Sequence, residues 1–327
     1  MNSSLASSYL RIAEQNVELT TSAIRTLLYF DIFNHPLSES EIRNLIQFDL
    51  KNEIELSEVL NELTDAQRIY FHDGYYSISA SAFNVKRRLA GEKVAKTMVS
   101  RMKKFSSIIA SFPFVKAVTI SGSLSKNFMD KNSDIDYFIV TARNRLWLAR
   151  TLLVLYKKLF LLNSKKNFCV NYFVSEDHLA IPDKNIFTAT EVCFLIPVYK
   201  YDVYLNFMNN NIWSKTFYPN FPLRSEFYIV SEKFPRLKVF FEKLFSSSFG
   251  EYLDDYFFKA TLRHWKNKFK DFDPATFDLR MRTRKNVSKH HPGGFQEKVL
   301  KELDVRIANF EKQHDIILRD EKSTLFA

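Results

Sequence analysis

Residues Val115–Val140, VKAVTISGSLSKNFMDKNSDIDYFIV, decide how the rest of the chain is read. Val115 to Ile120, VKAVTI, has the β-branched, apolar character of a strand and runs directly into Ser121-Gly122-Ser123-Leu124-Ser125-Lys126. Ten residues after Ser123, Ser133 opens a second apolar run, Asp134-Ile135-Asp136-Tyr137-Phe138-Ile139-Val140, with carboxylates at alternate positions. Side chains two apart on a strand leave from one face, so Asp134 and Asp136 emerge together while Ile135 and Tyr137 turn away. Two like charges held so close are costly unless a cation lies between them. Magnesium, which takes a few carboxylates together with phosphate oxygens and water, suits that place. Gly122 lets backbone amides approach a phosphate, Ser123 offers a hydroxyl, and a helix over Leu124 to Phe128 would aim its positive end at the same anion. Lys126 is placed either to reach a phosphate as a point charge or to stand exposed on the first turn.

The segment resembles the polymerase-β-like nucleotidyltransferase superfamily, in which an apolar strand ends in Gly-Ser or Gly-Gly and Asp-x-Asp follows about ten residues later. The resemblance covers roughly Val115 to Val174 and is strongest over Ala117 to Val140. It implies an α+β fold with a nucleotidyltransferase-type mixed β-sheet flanked by helices. It also implies that Gly122, Ser123, Ser125 and Lys126 hold nucleotide phosphates, and that Asp134 and Asp136 are catalytic and ligate Mg2+ or Mn2+. The implied reaction moves a nucleoside monophosphate from a nucleoside triphosphate such as ATP to an acceptor hydroxyl, releasing pyrophosphate.

One position departs from that pattern. Members with the full site carry a third carboxylate on a later strand; here that strand is Phe168–Val174, FCVNYFV, and its centre is Asn171. An amide is neutral and cannot serve as a base. Three alternatives stand: Glu176 or Asp177 supplies the acid, Asn171 ligates through its carbonyl oxygen, or the site is degenerate. Loss of a metal-held base slows such chemistry by about 10²- to 10⁴-fold. The competing reading is therefore a catalytically weakened nucleotide-binding regulator. Arg143 and Arg145, just beyond the second strand, either clamp substrate or line the surface, and His178 is a loop histidine.

Upstream, Ile24, Leu27, Leu28 and Phe30 recur at helical spacing. Pro36 ends that helix, and Ser38 with Glu41 forms a capping box for a second helix whose inward positions are Ile42 and Ile46. Leu56, Val59, Leu60 and Leu63 mark a third, and His72-Asp73-Gly74 reads as the turn of a hairpin. Three helices and a hairpin resemble a winged helix. DNA reading by this module is disfavoured, because Glu55, Glu58 and Glu62 occupy the candidate recognition helix and DNA affinity rests on cations. A protein partner is the better expectation.

The chain has 327 residues, with 46% apolar and 26% charged, which excludes global disorder and suggests several domains: 1–82 winged-helix-like, 83–200 nucleotidyltransferase core, 201–327 helical. Residues 1 to 83 hold 5 Lys/Arg against 12 Asp/Glu, a charge of −7, leaving +17 on the remainder. Basic clusters at 86–104 and 259–289 invite a polyanion or phosphorylated substrate, with solvated helix faces as the plainer alternative; polymer synthesis on a nucleic acid ranks lower. Two cysteines, Cys169 and Cys193, make no disulfide or zinc framework and fit a reducing cytoplasm. Met1 to Leu10 lacks the pattern of a secretory signal, and Leu146–Leu162, interrupted by Arg150, Lys157 and Lys158, reads as an amphipathic helix rather than a membrane span. Phe83–Ser111 should form one or two basic helices. Beyond Trp213 the text is mostly helical, with Phe240, Phe241, Leu244, Leu253 and Phe257 as core positions. Ser288–Gly294 is the most loop-like stretch, and its His290-His291 pair lacks a third ligand for zinc.

Overall fold

The computed structural model describes residues 2–50, 56–225 and 228–318, with side chains from residue 16 onward. Helix α1 (Asn2–Asp31) buries Ile24, Leu27, Leu28 and Phe30. The expected capping box opens α2 (Glu39–Leu45): the Ser38 hydroxyl accepts from the Glu41 amide and the Glu41 carboxylate accepts from the Ser38 amide. Ile42 and Ile46 point inward, as do Leu56, Val59, Leu60 and Leu63 of α3 (Leu56–Asp65). Glu55 lies outside the described residues. The hairpin of β1 (Tyr70–His72) and β2 (Tyr75–Ser77) turns through Asp73 and Gly74, both at positive φ, the backbone that Asp-Gly supplies most readily.

A single long helix, α4 (Phe83–Ala110), leads to the main sheet. Then come β3 (Val115–Ser121), a one-turn helix α5 (Gly122–Ser125), β4 (Asp136–Thr141), α6 (Leu146–Phe160), β5 (Cys169–Ser175), α7 (Ile186–Cys193), β6 (Ile196–Tyr199) and α8 (Tyr201–Asn210). The remainder comprises α9 (Pro235–Leu244), α10 (Ser248–Lys268), α11 (Pro274–Met281), β7 (Thr283–Arg284), β8 (Val287–Lys289) and α12 (Phe295–His314). The sheet order is β6-β3-β4-β5-β8-β7, with β4 and β5 parallel and the other pairs antiparallel.

Strand alternation splits the core between the two faces of this sheet. Val118, Ile120, Tyr137, Ile139, Val170 and Phe173 pack with α4, α6 and α10 on one side. Ala117, Phe138, Val140 and Val174 pack with α7, α8, α12 and the N-terminal helices on the other. Each fully buried large side chain, Trp147 and Phe173 among them, contributes about 1.5–3 kcal/mol. No described helix is long and apolar enough to cross a membrane.

Two expectations for the C-terminal part fail. Phe240 (59% exposed), Phe241 and Leu244 face solvent, because α9 turns Lys238 inward instead. Its ammonium donates to the carbonyls of Ala110 and Val115 and to the Tyr199 hydroxyl, so a buried cation stitches the end of α4 to β3 and β6. Leu253 and Phe257 are partly buried, as the pattern indicates. Residues 283–289 are also not helical or looped. They form the β7–β8 hairpin, which extends the main sheet beyond β5, so Ser288 and Lys289 belong to a strand and the loop begins at His290. A two- and a three-residue strand with only one strongly apolar residue, Val287, show no legible alternation.

Candidate active site

Asp136 begins β4, opposite Ser121 on β3 and Cys169 on β5. Its Cα–Cβ bond points to the face that carries Phe138, whereas Ile135 and Tyr137 are buried on the other. Gly122 follows Ser121 at φ +67°, and a Cβ there would lie 2.5 Å from Asp136 Oδ2. Any other residue would be both strained and in collision, so the turn and the carboxylate are built for close approach. Asp134 precedes the strand and is half-buried. Its charge, with that of Glu191, adds to burial in pushing the Asp136 carboxyl up to about 6; the Cys169 thiol, which donates to it, and Lys126 act the other way.

Asn171 stands where the resemblance places the third acid. Tyr137 pairs with Val170 but Phe138 with Tyr172, so Asn171 is the extra residue of a β-bulge. The bulge puts both Asn171 and Tyr172 on the face of Asp136, where both line the same cavity. The Asn171 amide donates to Cys169 Sγ at 2.9 Å. Glu176 and Asp177 do not substitute for it. They follow the far end of β5, seven and eight residues beyond Cys169 and roughly 23–26 Å away by strand rise. There Glu176 accepts from the Arg143 amide, and Asp177 meets Arg143, His178 and the Ser175 hydroxyl. Arg143 is thus remote from the cavity. Arg145 is buried, donating to the carbonyls of Phe245, Ser246 and Ser247.

The remaining elements of the Gly-Ser turn are placed unevenly. α5 is one turn long, shorter than the helix expected over 124–128, so its dipole contributes little. Ser123 is half-buried outside the cavity wall. Ser125 is buried and donates back to the Gly122 carbonyl at 2.8 Å, which withdraws its hydroxyl from any ligand in the cavity. Lys126 donates to the same carbonyl at 3.2 Å and pairs with Glu191 at 2.8 Å.

Glu191 escaped the sequence reading. Asn185 caps α7 by accepting from the Thr188 amide, and Thr188, Glu191, Val192 and Leu195, at i, i+3, i+4 and i+7, then face the cavity. The signal was present: Glu191 is the lone charge between Asn185 and Leu195. Asp183, Lys289 and His291 also line the cavity and come from distant parts of the chain, which no local pattern joins. The cavity itself measures about 230 Å³. Its walls are mainly Phe138, Tyr172, Ile181, Phe187 and Phe207.

The donor set suits a hard cation only in company. Among the described residues no group of three His, Cys, Asp or Glu side chains is arranged to hold a metal. Two carboxylates and an amide oxygen leave most positions of a magnesium ion to phosphate oxygens and water, which is how that ion is ordinarily held beside nucleotides. The carboxyl of Asp136, pushed upward among negative neighbours, is the group such an ion would relieve. The basic clusters lie elsewhere: α4 and α10 pack against the opposite face of the sheet, and of their cations and those up to 289 only Lys289 reaches the cavity.

Residues 102–197 match the family model of the nucleotidyltransferase domain. No curated protein and no solved structure matches the chain.

Proposed function

We propose that this chain, whose residues 102–197 form a nucleotidyltransferase domain of the polymerase-β-like superfamily, transfers a nucleoside monophosphate from a nucleoside triphosphate to an acceptor hydroxyl in a magnesium-dependent reaction. The observation that carries the reading is the approach of Gly122 to Asp136, where a Cβ has no room. A bare turn beside a paired carboxylate is what a phosphate chain and its counter-ion need. Asp134 and Asp136, with the carbonyl of Asn171, would hold Mg2+ or Mn2+, which when bound supplies charge for the phosphoryl oxygens and acidity for a bound hydroxyl.

The chain's own groups have these roles. Gly122 admits the triphosphate to the turn. Lys126, now paired with Glu191 at 2.8 Å, turns its charge to the incoming phosphates. Glu191, released from that pair, accepts the proton of the acceptor hydroxyl as its oxygen bonds to the α-phosphorus and the bond to pyrophosphate breaks. Asn171, fixed by its bond to Cys169, orients rather than ionises.

A second reading rests on Asn171. With an amide at the third position, the protein binds nucleotide without turning it over and acts through its N-terminal winged-helix-like module. Equilibrium binding of ATP, GTP, CTP and UTP with and without Mg2+, alongside pyrophosphate release, separates the cases. The proposal expects Mg2+-dependent binding of at least one nucleotide, weakened roughly 10- to 100-fold in Asp136→Asn, with pyrophosphate released. Binding without release in the presence of every acceptor class supports the second reading, and no binding of any nucleotide refutes both.

A further inference from the structure

Beyond Asp136 the cavity runs toward a second polar group, on β8 and the loop before α7, that the transfer chemistry does not use. Lys289 is 7% exposed and donates to Asp183 at 3.2 Å and to Gln296 Oε1 at 3.3 Å. Both bonds are long, and its third proton has no partner among them. Arg282, by contrast, is fully engaged: it grips Asp183 through both terminal nitrogens at 2.9 and 2.8 Å and also meets Asp278. Asp278 in turn is shared with Arg284. With Glu297, which also acts on Lys289 but is held by Arg280 at 2.8 Å, four cations face three carboxylates, and the least tightly paired of the cations is the lysine that borders the cavity. Burial pushes its ammonium below the usual range, with Asp183 opposing, so an arriving anion would relieve it. His291 also opens to the cavity from the loop after β8. Burial and Lys289 push its imidazole down to about 4, with Glu191 opposing, so at neutral pH it carries no charge and serves as a neutral hydrogen-bonding group.

The other end has the opposite sign. Asp134, Asp136 and Glu191 outnumber Lys126 there. Lys289 pairs with Tyr172, which pairs across the bulge with Phe138, two residues from Asp136, so the Cα atoms of Asp136 and Lys289 are roughly 12 Å apart across three strands. Aromatic rings span the interval, and the cavity volume of about 230 Å³ lies below the roughly 300–1,000 Å³ of pockets for drug-sized ligands. The basic helices that would hold a polymer are on the other face of the sheet, which favours a small acceptor.

Resting on the nucleotidyltransferase reading, we propose that the acceptor is a small aromatic hydroxy acid, its carboxylate on Lys289, its ring among Phe138, Tyr172, Phe187 and Phe207, and its hydroxyl toward Asp136. Lys289 and His291 thereby select the acceptor, whereas Asp134, Asp136 and Gly122 serve the nucleotide.

The test uses the full-length protein without nucleotide or metal, so it does not depend on turnover. Titrations with 3-(4-hydroxyphenyl)propionate and with its primary amide, equal in shape and differing in charge, are followed by calorimetry. The acid should bind at least about tenfold tighter than the amide, the effect of one charged hydrogen bond. Lys289→Met should erase the preference and Lys289→Arg should retain most of it, with thermal melting used to show that each variant is folded. Equal binding of acid and amide, no binding of either, or a preference that survives in Lys289→Met overturns the proposal. If the acid binds selectively but Mg2+ and nucleotides do not bind, the reading of the catalytic end fails while the assignment of the anion end stands. If nucleotides bind and the acid does not, only the acceptor proposal fails.

Discussion

Asp136 is a carboxylate that the fold holds against its own preference. Burial, Asp134 and Glu191 bring its pKa to about 6 from 3.8, so the native carboxyl keeps a proton over a range in which the unfolded chain has released it. The sign follows: with more protons on the native state, stability falls as pH rises from about 4 to about 6, and the loss is complete above that window. Two units set a ceiling of about 3 kcal/mol. Because the residue keeps some contact with solvent, about 1–2 kcal/mol is the expected size. Urea unfolding in EDTA across pH 4 to 8 should show the stability of Asp136→Asn relative to the wild type rising by that amount through this window, a difference from which the opposing contributions of His290 and His291, each pushed down to about 4 by burial, cancel; the variant should be the more stable protein at pH 8. A difference between the two proteins that stays constant through that window would mean the carboxyl titrates normally. The strand that carries Asp136 was legible from its apolar alternation, although it begins at Asp136 and leaves Asp134 in the loop before it. Glu191, which raises the same carboxyl, was not, because its approach depends on where α7 packs.

Helix α6 shows the same limit at the scale of an element. Its apolar spacing makes a helix readable over Leu146–Leu162, but its N-cap residue, Arg145, offers no side-chain acceptor for the exposed amides. The acceptor comes from α10: Asp254, wholly buried, takes the Leu148 amide at 2.9 Å and pairs with Lys285 at 2.9 Å. A carboxylate 106 residues away thus caps one helix, anchors another and neutralises the turn between β7 and β8. Asp254→Ala leaves the Leu148 amide without its acceptor and Lys285 with only Asp255, at 2.7 Å, and should cost about 2 kcal/mol. Asp254→Asn keeps the cap but turns a donor toward the Lys285 ammonium in place of an acceptor, so it should recover only part of that loss. The midpoint of urea unfolding at unchanged slope measures both; a loss under about 1 kcal/mol for the alanine variant would show that water replaces the cap. The exposed side of α9 belongs to the same lesson. Phe240 and Phe241 are apolar in sequence yet outward in the fold, since the inward position went to a lysine with three oxygen partners waiting.

At the scale of the molecule, composition and charge suggested a break near residue 82, and the packing bears on whether the two sides fold separately. Leu27, Leu28 and Phe30 belong to the same buried cluster as Val192, Phe207 and Phe310. The ring of Phe30 lies 6.3 Å from that of Phe194, and Phe33 lies 6.2 Å from Phe295 at the mouth of the cavity. Charged groups cross as well: Arg306 of α12 pairs with Asp31, and Arg88 of α4, 3% exposed, meets Glu41 at 2.6 Å. Removing residues 1–82 would therefore bare an apolar face and strand a buried guanidinium with only Glu92 beside it. The expected outcome is one cooperative thermal transition for the whole chain, with calorimetric and van't Hoff enthalpies in agreement. The 83–327 fragment should instead aggregate, or melt at least about 10 °C lower, as a loss of a few kcal/mol implies for a protein of this size. Two resolved transitions in the full chain, one of them reproduced by the fragment, would show that the acidic N-terminal part is an independent unit resting on the cavity wall. A single transition would mean that whatever engages the N-terminal helices acts on the same folded body that positions Phe295, and so on the entrance to the site.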